Sequence, residues 1–225
     1  MQDTRVVHFY FDPLCPWAFR TSLWMRDVRD RLDLAVEWRF FSLEEVNREE
    51  GSKHPWEREW SYGWSLMRIG AYLRRLDPDL LDRWYLLVGT ALHLEGRKAH
   101  RREVAEELLD EMGLGAETAA AALADATTHD EVRREHQQAV ERGYFGVPTL
   151  YFPEHGQSLF GPVISEPLEA ERSIALWEHV VSWLGFPRLY EIKRPKSAED
   201  LAHISQKFQP YLAARDWRTV QKPAP

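Results

Sequence analysis

Hydrophobic positions along the chain change their period several times, and each change marks a different kind of element. Val6 to Phe11 is a run of β-formers broken by Asp12 and Pro13, and from Pro16 onward Trp17, Leu23, Trp24 and Val28 recur at helical spacing. Leu34 to Leu43 alternates and then turns apolar, which predicts a second strand; the helix between the two strands is long enough for a parallel crossover. From about Trp56 to Thr127 the segments WSLMRIGAYLRRL, LLDRWYLLVGTALHL, REVAEELLDEM and ETAAAALADA carry helical periodicity and no strand signal. Another helix is expected near Asp130 to Arg142. GYFGVPTLYFPEHGQSLFGPV then supplies two short β runs with turn residues between them, a hairpin, and Glu169 to Leu184 reads as an amphipathic helix. After Phe186 the pattern weakens to an extended stretch over Pro187 to Pro195, a short helix over Ala198 to Phe208 and a loose TVQKPAP end.

The order is therefore βαβ, a helical insertion, then α-β-β-α. That order resembles an α/β, thioredoxin-like fold with a helical subdomain inserted in the middle. It divides the chain into a thioredoxin-like domain over residues 1–45 and 129–186, an inserted helical subdomain over 46–128, and a C-terminal extension over 187–225 expected to pack on the body or on a second subunit. A length of 225 residues suits one domain with a sizeable insertion and would be cramped for two independent ones.

Composition narrows the function classes. With 44% hydrophobic and 29% charged residues and no apolar run near the ~20 residues that span a bilayer, the chain reads as a globular protein without a membrane partner. The start, MQDTRVVHFYFDP, is too short in apolar residues for a secretory signal, so the expected compartment is the cytoplasm. A net charge of -7 argues against nucleic acid, and the single cysteine forbids an internal disulfide. No metal-ligand cluster, phosphate loop or serine triad is apparent.

That one cysteine, Cys15, can be a small buried hydrophobe, as many free cysteines are. Its position supplies another reading. It falls where a parallel strand ends and a helix begins, the edge of an α/β sheet at which ligands bind. The unpaired N–H groups of a helix N-terminus favour a thiolate over a thiol, which predicts a depressed pKa, and Pro16 suits the first turn because it has no N–H to leave unsatisfied.

FDPLCPWA at residues 11–18, GVPT at 146–149 and LFGPV at 159–163 are similar, in this order around a helical block, to the DsbA-like branch of the thioredoxin superfamily. This branch includes the kappa-class glutathione transferases and the 2-hydroxychromene-2-carboxylate isomerases. The likeness is greatest to mycothiol-dependent nitroreductase-type oxidoreductases, with their FDPxCPWC signature, and spans most of residues 5–195. It implies a thiol-dependent oxidoreductase with Cys15 as the catalytic sulfur, supported by Pro16, Trp17, Ala18, Val147 and Pro148. Pro148 is otherwise a loop proline; the resemblance implies that it is cis and lies against the sulfur, with the Val147 backbone open to an extended thiol ligand.

One departure changes the chemistry. The family's second cysteine falls at Ala18, so C-x-x-C has become C-x-x-A and the site is monothiol. An external small thiol, mycothiol or glutathione, is then the expected co-substrate, with no tightly bound cofactor and no metal, acting on a small hydrophobic or aromatic substrate. Asn47, Trp64 and His93 match pocket positions of the family. Arg68 shares a helical face with Trp64 and resembles, with it, a W-x-x-x-R pattern of that pocket. Asn47, Trp64 and His93 each have a plainer reading: Asn47 as a cap, Trp64 as core, and His93 as one of nine histidines. Of the 10 tryptophans, Trp17, Trp56, Trp60 and Trp64 are expected near the site, and Trp24, Trp177 and Trp183 on core faces. Two alternatives stay open: a thiol-dependent isomerase or transferase of the kappa or chromene type, in which Cys15 only positions a bound thiol, and a binding module that has lost turnover. Relatives of this kind are often dimers, so a second copy of the chain is also an expected partner.

Overall fold

The computed structural model describes residues 4–217. The expected loose end beginning at Thr219 lies outside them. Strand β1 (Val6–Phe11), helix α1 (Pro16–Leu32) and strand β2 (Ala35–Phe40) form the expected crossover, with β1 and β2 parallel and in register from Val6–Ala35 to Phe11–Phe40. β2 ends earlier than the apolar run suggested. Ser42 stops it, because its hydroxyl accepts the Glu45 N–H at 3.1 Å and so caps the short helix α2 (Leu43–Val46).

A 3₁₀ turn at Pro55–Glu57 is followed by α3 (Tyr62–Leu76), α4 (Pro78–His93), α5 (Arg102–Glu111), α6 (Glu117–Ala124) and α7 (Ala126–Glu141). α7 begins before the expected Asp130. Asp125, which closes α6, accepts the Thr127 N–H at 2.9 Å and starts the next helix almost without a loop. The hairpin is β3 (Thr149–Phe152) and β4 (Gln157–Phe160), with β3 antiparallel to β1 and to β4. The sheet order is β2-β1-β3-β4. Helix α8 (Ala170–Trp183) follows, then α9 (Ala198–Lys207) and α10 (Gln209–Ala214).

The chain divides into two units at 41/42, 133/134 and 207/208. The sheet unit contains the chain up to Phe41 with Arg134–Lys207; the helical unit contains Ser42–Arg133 with the chain from Phe208. The sequence division had its boundaries at 45/46, 128/129 and 186/187. The part of the chain read as one extension is thus shared, α9 belonging to the sheet unit and α10 to the helical unit.

In the sheet unit the core is Phe9, Phe11, Phe19, Met25, Val28, Phe40, Leu150 and Phe152. α1 and α8 are joined by the Trp24 indole N–H donating to the Ser173 carbonyl at 3.1 Å. Trp24 and Trp177 are buried as expected, whereas Trp183 is only half-buried. In the helical unit Leu66, Met67, Ile69, Leu73, Val88 and Leu92 fill the interface of α3 and α4, and the Trp84 indole donates to the Leu66 carbonyl at 3.0 Å. Among the described residues no helix is long and apolar enough to cross a membrane, and no group of three or more His, Cys, Asp or Glu is placed to hold a metal ion.

Candidate active site

The turn after β1 is built by Asp12. Its buried carboxylate accepts the Leu14 N–H at 2.9 Å, and its carbonyl accepts the Cys15 N–H at 3.0 Å. Cys15 is thereby left with extended backbone, φ -83° and ψ 111°, as the N-cap of α1, with Pro16 in the first turn. Its sulfur accepts the Ala18 N–H at 3.4 Å, a position a capping oxygen would otherwise hold.

The other wall follows from strand register. Thr149 pairs with Tyr10, so the residues before Thr149 pass the end of β1, and there the Cys15 thiol donates to the Val147 carbonyl at 3.8 Å. The Val147–Pro148 and Gly161–Pro162 peptide bonds are both cis. The Thr149 hydroxyl donates to the Gly146 carbonyl at 2.8 Å and the Gly161 N–H to the Pro148 carbonyl at 2.8 Å, which fixes this loop against β3. From α1, the Thr21 hydroxyl donates to the Pro162 carbonyl at 2.8 Å. Trp17 is half-buried, with the Lys196 ammonium 5.9 Å from its ring centroid. Cys15, Pro16, Trp17, Ala18, Val147 and Pro148 therefore share one neighbourhood of the sheet unit.

The thiol does not carry the expected depressed pKa. Burial pushes it up to about 12, opposed by the Ala18 N–H and reinforced by the Asp12 carboxylate. Cys15 is only 7% exposed, so desolvation of the thiolate outweighs what the Ala18 and Trp17 N–H groups at the helix start supply. The resting group is a thiol that donates to Val147.

The other expected residues lie in the helical unit, each in different surroundings. Asn47 is exposed, and its side-chain amide donates to the Leu43 carbonyl at 2.8 Å, closing α2. Trp64 is buried, its ring 4.9 Å from Trp56 and 5.6 Å from His129 between centroids. Arg68, one turn on, points its guanidinium at the carbonyls of Leu123 (2.8 Å) and Asp125 (3.0 Å) and at the Thr128 hydroxyl (3.0 Å). It serves the α6–α7 junction. His93 is fully buried at the end of α4 under the ring of Tyr211. Trp60, half-buried, donates from its indole N–H to the His100 carbonyl at 2.8 Å. Asp12 is the residue that sequence reasoning passed over. Besides breaking the strand, an aspartate two residues before the backbone N–H that it accepts is an Asx-turn signal.

The Mycobacterium tuberculosis (strain ATCC 25618 / H37Rv) "Uncharacterized protein Rv2286c" is 52% identical over 216 residues, 96% of this chain and 93% of that protein. Among solved structures, the "Cytosolic disulfide reductase DsbM from Pseudomonas aeruginosa with GSH" is 17% identical, covers 79% of this chain and 99% of its own, and superposes with a TM-score of 0.54. The 2-hydroxychromene-2-carboxylate isomerase (HCCA isomerase) is 16% identical over 79% of this chain and 95% of its own, with a TM-score of 0.59. These two similarities establish the DsbA-like thioredoxin fold. Residues 14–194, from just before the cysteine through the hairpin and α8, match the Rv2466c-like family, described as mycothiol-dependent nitroreductase Rv2466c, and the chain belongs to that family of thiol-dependent enzymes.

Proposed function

We propose that the protein is a monothiol oxidoreductase in which Cys15 exchanges with a low-molecular-weight thiol to reduce a small hydrophobic or aromatic acceptor. The observation that carries this reading is the sulfur's placement between the α1 N-terminus and the Val147 carbonyl, with Trp17 beside it and no second thiol in the chain. Cys15 and a small thiol RSH together give two electrons and two protons to an acceptor A, forming AH2 and the mixed disulfide Cys15–S–S–R. A second RSH attacks the R-side sulfur, releases RSSR and returns the proton to Cys15. The sum is A + 2 RSH → AH2 + RSSR. Mycothiol is favoured by the family's description and glutathione by the DsbM structure; the cytoplasm, where small thiols are kept reduced, is the matching compartment.

The raised pKa shapes this cycle. At neutral pH the buried group is overwhelmingly the thiol, so reaction waits on proton transfer as the small thiol and acceptor bind. A basic thiolate also leaves slowly, so the mixed disulfide persists once made. The same observation favours a second reading, in which a bound small thiol does the chemistry, as in a thiol-dependent isomerase, and Cys15 positions it. One experiment separates them: anaerobic turnover of a nitroaromatic acceptor with mycothiol. The oxidoreductase reading expects one RSSR per two-electron reduction and complete loss in Cys15→Ser. Turnover retained in Cys15→Ser overturns it in favour of the positioning role.

A further inference from the structure

We infer that Phe208–Trp217 is a releasable strap that covers His93 and closes one face of the helical unit. The strap lies beyond residue 194, where the match to the family ends, and α10 at its centre packs on α4. The Tyr211 ring sits 5.2 Å from the His93 ring between centroids, and His93 has no exposed surface. Three residues on, Gly96 has φ +72°, and a Cβ there would stand 3.3 Å from the Pro210 carbonyl oxygen, so the loop after α4 is shaped to let the strap backbone approach.

The far end of the strap is held by charge. Asp216 accepts from the His100 Nε2 at 2.6 Å, from the Lys98 Nζ at 2.9 Å and from the Arg101 guanidinium, and Trp217 lies 4.4 Å from the buried His100 ring. His93, Lys98, His100 and Arg101 all belong to the HLEGRKAHR stretch at and after the end of α4, which receives much of the strap, while the Trp217 ring also lies 6.1 Å from Tyr62 of α3 between centroids. Two features make it releasable. α10 has only 6 residues, too few to hold a helix without packing. The knot is partly solvated, with Lys98 44%, Arg101 53% and Asp216 29% exposed, so salt weakens it. A short segment tied this way, by one small helix and a partly solvated ion cluster, belongs to the parts of a domain that open locally at low cost. Opening uncovers the His93 ring face that Tyr211 occupies.

Diethyl pyrocarbonate labelling of the full chain, mapped by peptide mass, tests this with the exposed His203 as reference and the buried His136 of the sheet unit as a control for global unfolding. Asp216→Lys is expected to raise the His93 labelling rate about tenfold, with His136 unchanged; unmodified protein titrated with sodium chloride is expected to show a smaller rise in the same direction. The same result in a Cys15→Ser background keeps the strap independent of the thiol chemistry. An unchanged His93 rate in both the variant and the salt titration overturns the inference. So does a rise at His93 and His136 together, which makes the segment part of the cooperative core.

Discussion

Cys15 and His93 are both buried groups at a helix end, Cys15 before the first turn of α1 and His93 at the last residue of α4. What surrounds them is determined over very different distances along the chain. Around Cys15 the turn, the cap and the helix start are set within four residues by Asp12, Leu14, Pro16 and Ala18, while Val147 arrives from afar, through strand register. Around His93 the covering ring comes from Tyr211, far downstream. A motif read from sequence locates the first kind of site well. It gives the second kind its residue but not its environment.

Ala18→Cys tests the local rules around the sulfur and has the largest expected effect, because it changes the product. Positions 15 and 18 share a face, with the Ala18 N–H already 3.4 Å from the sulfur, so the variant's two thiols should close to a disulfide under mild oxidation. Intact mass reads it as a loss of two hydrogens. Two free, readily alkylated thiols in the oxidised variant would show that the C-x-x-C-like geometry is absent.

The raised thiol pKa makes the burial of Cys15 measurable through pH. Native Cys15 should alkylate slowly at pH 8, accelerating about tenfold per pH unit toward 12, whereas the unfolded chain levels off near its ordinary value of 9.0. The folded state holds this proton more tightly than the unfolded one, so its contribution to stability is complete below pH 9. It is lost as pH rises from 9 toward 12, at about 1.4 kcal/mol per pH unit. Urea titrations across that window, with Cys15→Ala lacking this part of the slope, check the sign. A fast native rate at pH 8 contradicts the desolvated thiol.

Arg68→Met probes the helical unit by itself. Removing a guanidinium that satisfies the Leu123 and Asp125 carbonyls should cost about 1–3 kcal/mol, seen as a lower urea midpoint, with native Cys15 alkylation unaltered. A change in thiol reactivity with no loss of stability would return Arg68 to the functional site.

The smallest effect is expected from Asp12→Asn. The amide oxygen can still accept the Leu14 N–H while the negative charge that raises the thiol pKa is gone, so alkylation at fixed pH should quicken a few-fold. Slower alkylation would mean that Asp12 acts through the turn rather than through its charge.

Most of the fold was legible because its signals are local. β1, α1 and the hairpin came from period and turn residues, and the place of Cys15 from a strand ending at Asp12-Pro13. The pKa was not legible. A helix N-terminus can be read from Pro16, but how much of the sulfur is buried depends on residues from α1 and the β3 loop that pack together only in the folded chain. The position of Arg68 shows the same limit: spacing put it on the face of Trp64, and the carbonyls that claim it belong to the end of α6. The division of the tail at 207/208 had no sequence signal either, since Lys207 and Phe208 sit between two short helices with similar patterns.

In the monothiol cycle Cys15 takes up one small thiol and holds it as a mixed disulfide. Native protein incubated at pH 8 with limiting mycothiol and its disulfide, then examined by intact mass and peptide mapping without reductant, should gain a single mycothiol at Cys15, and Cys15→Ser should gain none. If native Cys15 remains a free thiol at every ratio of thiol to disulfide, while the denatured chain is modified fully, the monothiol cycle is contradicted.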